Sequence, residues 1–195
     1  MREPSALVLA STSPYRRELM ARLGLPFGVA APGVDETPHP TEDGAALALR
    51  LAQAKARAVA ATRPAAIVIG SDQSCMCGDR LLGKPGTAPA ARAQLSRLSG
   101  AIAVFHTALC VLDAHSGREW QGSVPTEVRF RRLGRAEIAR YLDREPAFDC
   151  AGSFKSEGLG IALMESVRSD DPTALVGLPL VLLCRFLRQA GIAVP

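Results

Sequence analysis

Aromatic residues are scarce in this chain, at 5% of 195 positions, and no dense run of lysine and arginine accompanies them. Nucleic-acid modules combine clustered cations with stacking faces, so the sequence argues against one. Histidine is equally sparse. His39, His106 and His115 have no ligand spacing and no cysteine or carboxylate pattern beside them, and they read as structural. Five cysteines are scattered: Cys75 and Cys77 form C-x-C, while Cys110, Cys150 and Cys184 stand alone. That pattern gives neither a zinc spacing nor a disulfide framework, and points to buried reduced thiols in a cytoplasmic protein. No apolar run reaches transmembrane length; residues 174–187 are broken by Gly177, Pro179 and Arg185. Residues 1–5 lead into the first apolar segment without the core of a signal peptide. The P-loop, G-x-G-x-x-G and G-x-S-x-G patterns are all missing, as are repeats and low-complexity tracts.

Hydrophobic residues make up 48% of the chain, enough for a sizeable core, and the length suits a single domain over residues 1–195. The formal net charge of +4 fits a small polyanion such as a nucleotide. Apolar periodicity predicts helices over residues 15–23, 44–62, 89–98, 135–143 and 179–189. Short strands are expected over 7–10, 27–30 and 66–70, and two longer alternating ones over 102–112 and 119–130. A hairpin is expected around Cys77-Gly78-Asp79-Arg80. Residues 31–43 form a polar loop, long for a compact domain. The expected class is α/β, a mixed twisted sheet flanked by helices.

Several segments carry chemistry. Leu7-Val8-Leu9-Ala10 runs into Ser11-Thr12-Ser13-Pro14-Tyr15-Arg16-Arg17, a strand followed by a capped helix start with two arginines. Free backbone N–H groups, a positive dipole end and guanidiniums together suit phosphate, although a plain N-cap with solvated arginines has the same pattern. Asp72 follows a central strand at its carboxyl end, where open α/β sheets place their sites; it can hold a cation, activate water, or simply close a turn. Lys84 in Gly83-Lys84-Pro85 sits in a backbone-restricted loop that could aim it inward, but taken alone it reads as a solvated lysine. Lys55, mid-helix between Arg50 and Arg57, reads by spacing as a surface or snorkelling side chain. Asp35 and Glu36 offer carboxylates from the long loop to a metal or to water. Gly152 and Gly158 bracket the polar loop Ser153-Phe154-Lys155-Ser156-Glu157.

Taken in order, Ser11-Thr12-Ser13-Pro14-Tyr15-Arg16-Arg17, Val34-Asp35-Glu36, Lys55, Gly70-Ser71-Asp72-Gln73, Gly83-Lys84-Pro85, Ser99-Gly100, Ala151-Gly152-Ser153-Phe154-Lys155-Ser156-Glu157-Gly158 and Val176-Gly177-Leu178-Pro179 resemble the Maf family of nucleotide pyrophosphatases. The resemblance spans nearly the whole chain. It implies an α/β fold related to the inosine triphosphate pyrophosphatases, a divalent cation (Mg²⁺ or Mn²⁺) and frequent homodimers, while composition and the lack of long apolar runs argue against a nucleic-acid or membrane partner. Gln73 and Glu157 look like the branch that hydrolyses 7-methyl-GTP. The branch acting on dTTP and UTP has Arg where Tyr15 stands, Thr at Gln73 and Gln at Glu157. The methylated-guanine branch often has Trp at position 15, so Tyr15 departs from it while staying aromatic.

The resemblance makes Asp72 the acceptor of a proton from the attacking water and a metal neighbour, with Glu36 second in the metal shell. It gives Arg16, Lys55 and Lys84 the phosphates, with Ser11 and Ser13 completing the cradle. Tyr15, Gln73 and Glu157 then read the base: an aromatic face suits a cationic methylated ring, and a carboxylate offsets its charge. The expected reaction is hydrolysis of a nucleoside triphosphate at the α-phosphorus. Two other readings stay open: a dTTP/UTP or broad modified-nucleotide pyrophosphatase, and a nucleotide-binding regulator of septum formation.

Overall fold

Residues 6–195 are described by a computed structural model; residues 1–5, read above as lacking a signal-peptide core, lie outside the described residues. A mixed seven-stranded sheet and five α-helices form within them, the α/β class expected. The elements are β1 (Leu7–Ala10), α1 (Pro14–Ala21), β2 (Phe27–Ala30), α2 (Gly44–Ala60), β3 (Ile67–Cys77), β4 (Arg80–Leu81), α3 (Ala88–Leu98), β5 (Ile102–Asp113), β6 (Glu119–Phe130), α4 (Arg135–Arg144), β7 (Met164–Ser169) and α5 (Leu180–Gln189). The sheet order is β2-β1-β3-β5-β6-β7, with β4 paired to β3. β1 runs parallel to both β2 and β3, whereas β4 is antiparallel to β3 and β7 to β6. No helix among the described residues is long and apolar enough to cross a membrane.

The chain divides into two compact units. The first holds the chain up to Gln73, Thr107–Val124 and Asp171–Pro195; the second holds Ser74–His106 and Pro125–Asp170.

In the first unit β1, the start of β3 and residues 107–112 of β5 are buried on both faces, so they read as continuous apolar runs, and side-chain parity sorts them. Leu7, Leu9, Ile67, Ile69, Leu109 and Val111 share one core with Leu19 and Met20 of α1 and with Leu183 and Leu187 of α5. Val8, Ala10, Val68, Ala108 and Cys110 share the other with Ala48, Ala52 and Ala56 of α2. The alanine face of α2 lets that helix lie close to the sheet. At Gly70 the approach is closest: a Cβ there would run into the Ala52 carbonyl oxygen and lie 2.7 Å from the Ala56 nitrogen. Both obstacles are backbone and neither can swing away. Gly70→Ala is therefore expected to cost about 1–3 kcal/mol through overpacking. Thermal denaturation checks this, and an unchanged midpoint would contradict the close approach.

β3 is longer than the apolar run predicts, continuing through Ser71, Asp72, Gln73 and Ser74 to Cys77. The expected hairpin follows, with Cys77 opposite Arg80 and Met76 opposite Leu81. β7 has no counterpart among the expected strands; its burial is mostly partial or absent, so no apolar alternation marks it. In the second unit Phe154 packs edge-on against both Phe105 and Phe130, at ring-centroid distances of 5.5 and 5.2 Å. Ser99 forms a two-way latch with Leu133, its Oγ donating to the carbonyl at 3.2 Å and accepting from the N–H at 2.7 Å.

Candidate active site

Parity along β3 decides which side chains meet. Asp72 follows Val68 and Gly70 on the face turned to α2, and there it meets Lys55. The Lys55 Nζ donates to Asp72 Oδ1 at 2.5 Å and pairs with Glu36 Oε1 at 2.6 Å. Lys55 is 5% exposed and Asp72 7% exposed, so this ion pair is buried. Spacing alone marks Lys55 as a surface lysine; Gly70 and the alanines of α2 bring it down onto the sheet instead. Asp72 makes no turn or cap, and its Oδ2 has no protein partner among the described residues.

Glu36 reaches Lys55 because its loop is tied to α2. Asp43 caps the helix by accepting from the Ala46 N–H at 2.8 Å. Arg50, one turn before Lys55, donates in a fork to Glu42 at 2.7 and 2.8 Å and to the Thr37 carbonyl at 3.0 Å. Asp35 faces inward along its own loop, accepting from the Thr37 N–H and hydroxyl. Arg50 and Glu42 are thus the positioning pair that sequence reasoning missed, because their partners lie in an irregular loop.

The Arg50 guanidinium holds the Glu42 carboxyl down at about 2, below its usual 4.5. A depressed folded-state pKa means the stabilisation is complete above pH 4.5 and is lost as pH falls toward 2. The acid loss of stability over that window is expected to be steeper in the wild type than in Glu42→Gln, as followed by denaturant midpoints. Parallel curves would contradict the tie.

Ser71 and Gln73 occupy the opposite face of β3, the α5 side. Ser71 Oγ donates to the Ala108 and Gly177 carbonyls at 2.8 and 3.0 Å. Gln73 Nε2 donates to Thr107 Oγ1 at 2.9 Å and to the Ala174 and Leu175 carbonyls at 3.0 and 3.1 Å. The Gln73 amide nitrogen is therefore engaged within the protein, leaving Oε1 as its open end.

Arg16 and Arg17 part ways on α1: Arg17 is exposed, while Arg16 is half-buried with its Nε donating to the Gly177 carbonyl at 2.8 Å. Burial lowers the Arg16 pKa, and the charges of Asp72 and Glu36 partly offset that. The guanidinium is thus within electrostatic reach of the same two carboxylates as Lys55. Gly177 serves both Arg16 and Ser71 through one carbonyl, and its φ of +120° is a conformation that favours glycine. Its role has no local signal in the sequence.

Ser13 caps α1, its Oγ accepting from the Arg16 N–H at 3.4 Å, and the buried Ser11 Oγ accepts from the Ser13 N–H at 3.1 Å. Both hydroxyls act as acceptors in these bonds, so their protons remain for donation. Tyr15 is half-buried in the first turn of α1.

Lys84 and Glu157 belong to the second unit, and both are exposed. The Lys84 segment is tied by the Gly86 N–H donating to the Phe148 carbonyl at 3.0 Å. Ser156 Oγ donates to Glu157 Oε2 at 3.2 Å.

The first unit therefore gathers two cations and two carboxylates, Lys55, Arg16, Asp72 and Glu36, beside the capped start of α1. Such a set can hold phosphate oxygens and accept a proton. Comparison with known proteins finds relatives that match nearly the whole chain. A protein of Aromatoleum aromaticum (strain DSM 19018 / LMG 30748 / EbN1) named 7-methyl-GTP pyrophosphatase is 55% identical over 191 residues, covering 98% of both chains. One of the same name from Cupriavidus metallidurans (strain ATCC 43123 / DSM 2839 / NBRC 102507 / CH34) is 54% identical, covering 95% of this chain and 94% of its own. Another, from Polaromonas sp. (strain JS666 / ATCC BAA-500), is 57% identical over 96% of this chain and 85% of its own. Residues 6–190 match the family model described as Maf-like protein, and this chain belongs to the Maf family.

Proposed function

We propose that this protein hydrolyses 7-methyl-GTP to 7-methyl-GMP and pyrophosphate by attack of water on the α-phosphorus, residues 1–195 working as one Maf domain. The convergence of Asp72 and Glu36 on Lys55, with Arg16 alongside, carries the reaction type. The name shared by the relatives supports the substrate.

Asp72 is the proton acceptor. Its Oδ1 is engaged by Lys55, so Oδ2 takes the proton as water attacks. Lys55 spends two N–H groups on carboxylates and keeps the third for a phosphate oxygen. Arg16 is fixed through Nε and offers its terminal nitrogens to the same charge. Lys84 adds a cation for the departing pyrophosphate, and the Ser11 and Ser13 hydroxyls donate to phosphate oxygens. Phosphoryl chemistry of this kind depends on positioning and charge neutralisation more than on covalent intermediates.

A divalent cation, Mg²⁺ or Mn²⁺, fits the donor set. Such ions take oxygen ligands and are commonly bound by one or two carboxylates together with substrate phosphates and water. Asp72 and Glu36 are the carboxylates that would hold it, drawn together as they already are by one ammonium group. When bound, it would neutralise charge on the triphosphate.

Tyr15 stacks on the methylated ring with a cation–π component, and the Glu157 carboxylate accepts from the guanine edge while balancing its charge. Gln73 meets the base through Oε1. A homodimer in the cytoplasm, with nucleotide and neither nucleic acid nor membrane as partner, completes the reading.

Hydrolysis in ¹⁸O-labelled water tests the point of attack. Label recovered in 7-methyl-GMP supports attack at the α-phosphorus, and label in pyrophosphate would move it to the β-phosphorus.

A further inference from the structure

Ser153 has a φ of +64°, and no other residue besides glycine has a positive φ among the described residues. It is fully buried, so a side chain that disfavours this backbone conformation is nonetheless held there. Two contacts hold it. Phe154 is wedged between Phe105 and Phe130, and the Ser153 Oγ donates to Gln94 Oε1 at 2.6 Å.

The other end of the same amide is also used. Gln94 Nε2 donates to the Gly83 carbonyl at 2.9 Å, and Gly83 precedes Lys84. A carbonyl can only accept, which sets the amide with its nitrogen toward Gly83 and its oxygen toward the serine. Gln94 sits on α3, which begins just after the Lys84 loop with Thr87 as its cap. One side chain on a helix thus grips the loop of Lys84 and the loop of Glu157. The far end of the second loop is fixed independently: Glu145 Oε2 accepts from the Gly160 N–H at 3.0 Å and from the Tyr141 hydroxyl at 3.1 Å, and that hydroxyl accepts from the Lys155 N–H at 3.2 Å.

We propose that Gln94 is a positioning residue which sets the Lys84 and Glu157 loops together through its two amide ends. This rests on the roles given to those two residues above. Apart from the buried Leu82 and Phe154 both loops are mainly polar or glycine-rich, so hydrogen bonds must fix the rest of their geometry, and small misplacements of positioned groups cost large factors in rate.

The two bonds can be cut separately. Gln94→Glu keeps an acceptor for Ser153 and loses the donor to Gly83. Ser153→Ala does the reverse, and Gln94→Met removes both at similar length. Steady-state hydrolysis of 7-methyl-GTP and GTP is measured for each, with the thermal midpoint alongside. Gln94→Glu is expected to lower kcat roughly tenfold with the preference for 7-methyl-GTP over GTP retained. Ser153→Ala is expected to keep kcat within about twofold and shrink that preference. Gln94→Met combines both losses.

Midpoints that fall while kcat and preference stay at wild-type values would reduce Gln94 to a structural staple and overturn the proposal. If Gln94→Met folds too poorly to assay, the two single-bond variants still decide. A wild type that hydrolyses no triphosphate overturns the pyrophosphatase reading itself, whereas an active wild type with unaffected variants overturns only the role of Gln94.

Discussion

Asp72→Asn is expected to lower pyrophosphate release by at least about 10³-fold while nucleotide affinity changes by less than about tenfold. The substitution preserves shape and an oxygen for Lys55, so the ammonium still meets both Glu36 and position 72. What it removes is the capacity to take a proton. The hydrogen bond to Lys55 and the packing against α2 are kept, as they would not be with alanine, although the negative charge goes with either substitution. A loss of rate with affinity retained therefore separates a role in the chemical step from a role in building the nucleotide site. Rate measurements at saturating substrate and titration of a non-hydrolysable triphosphate analogue read the two effects. More than a tenth of wild-type turnover would remove Asp72 from the role of base.

The second large effect is expected from Lys55→Met, which fills the same space without a charge. Asp72 would then be a buried carboxylate facing Glu36 with Arg16 as the remaining nearby cation. Breaking a buried pair from one side typically costs about 3–5 kcal/mol. The lower end applies here, because Glu36 is half in solvent and Arg16 remains. For a chain of this length that corresponds to a midpoint lowered by roughly 10 °C. Turnover is expected to fall by at least about 10²-fold, since a phosphate donor is lost together with the ordering of the base. Two carboxylates without their ammonium attract a divalent cation, so millimolar Mg²⁺ should raise the midpoint of this variant more than that of the wild type. An unchanged midpoint and a turnover near wild type would mean that the ion pair orders nothing.

Much of this arrangement is legible in the sequence. The apolar runs of β1 and β3, the periodicity of α2 and α5 and the long strands β5 and β6 are local signals, and burial on both sheet faces follows from uninterrupted hydrophobicity. The order of short motifs pointed to the Maf family, which the family match bears out. Lys55 shows where local reading stops. Nothing in its own helix distinguishes it from Arg50 or Arg57, and its burial depends on a glycine beyond the helix, in β3. Arg16 and Arg17 are adjacent and identical in type, yet only the first is turned inward, where it is bonded to the Gly177 carbonyl. The polar stretch Ser71–Gln73 ends the apolar pattern, but the strand goes on because tertiary partners satisfy each side chain: Gly177 and Ala108 for Ser71, Lys55 for Asp72, Thr107 and Ala174 for Gln73. Gly177 stands in one of the motifs, but which side chains its carbonyl serves is not legible there; Arg50 and Gln94 had no signal at all, because each acts on irregular backbone that is distant or featureless in sequence.

Pyrophosphate release by the purified protein, with Mg²⁺ or Mn²⁺, across 7-methyl-GTP, GTP, dTTP, UTP and CTP tests the central claim most directly. A preference for 7-methyl-GTP of at least about tenfold in kcat/KM over each of the others is expected. A preference for dTTP or UTP would contradict the base-reading roles of Tyr15, Gln73 and Glu157, and the absence of turnover with any triphosphate would contradict the catalytic reading of Asp72, Lys55 and Arg16.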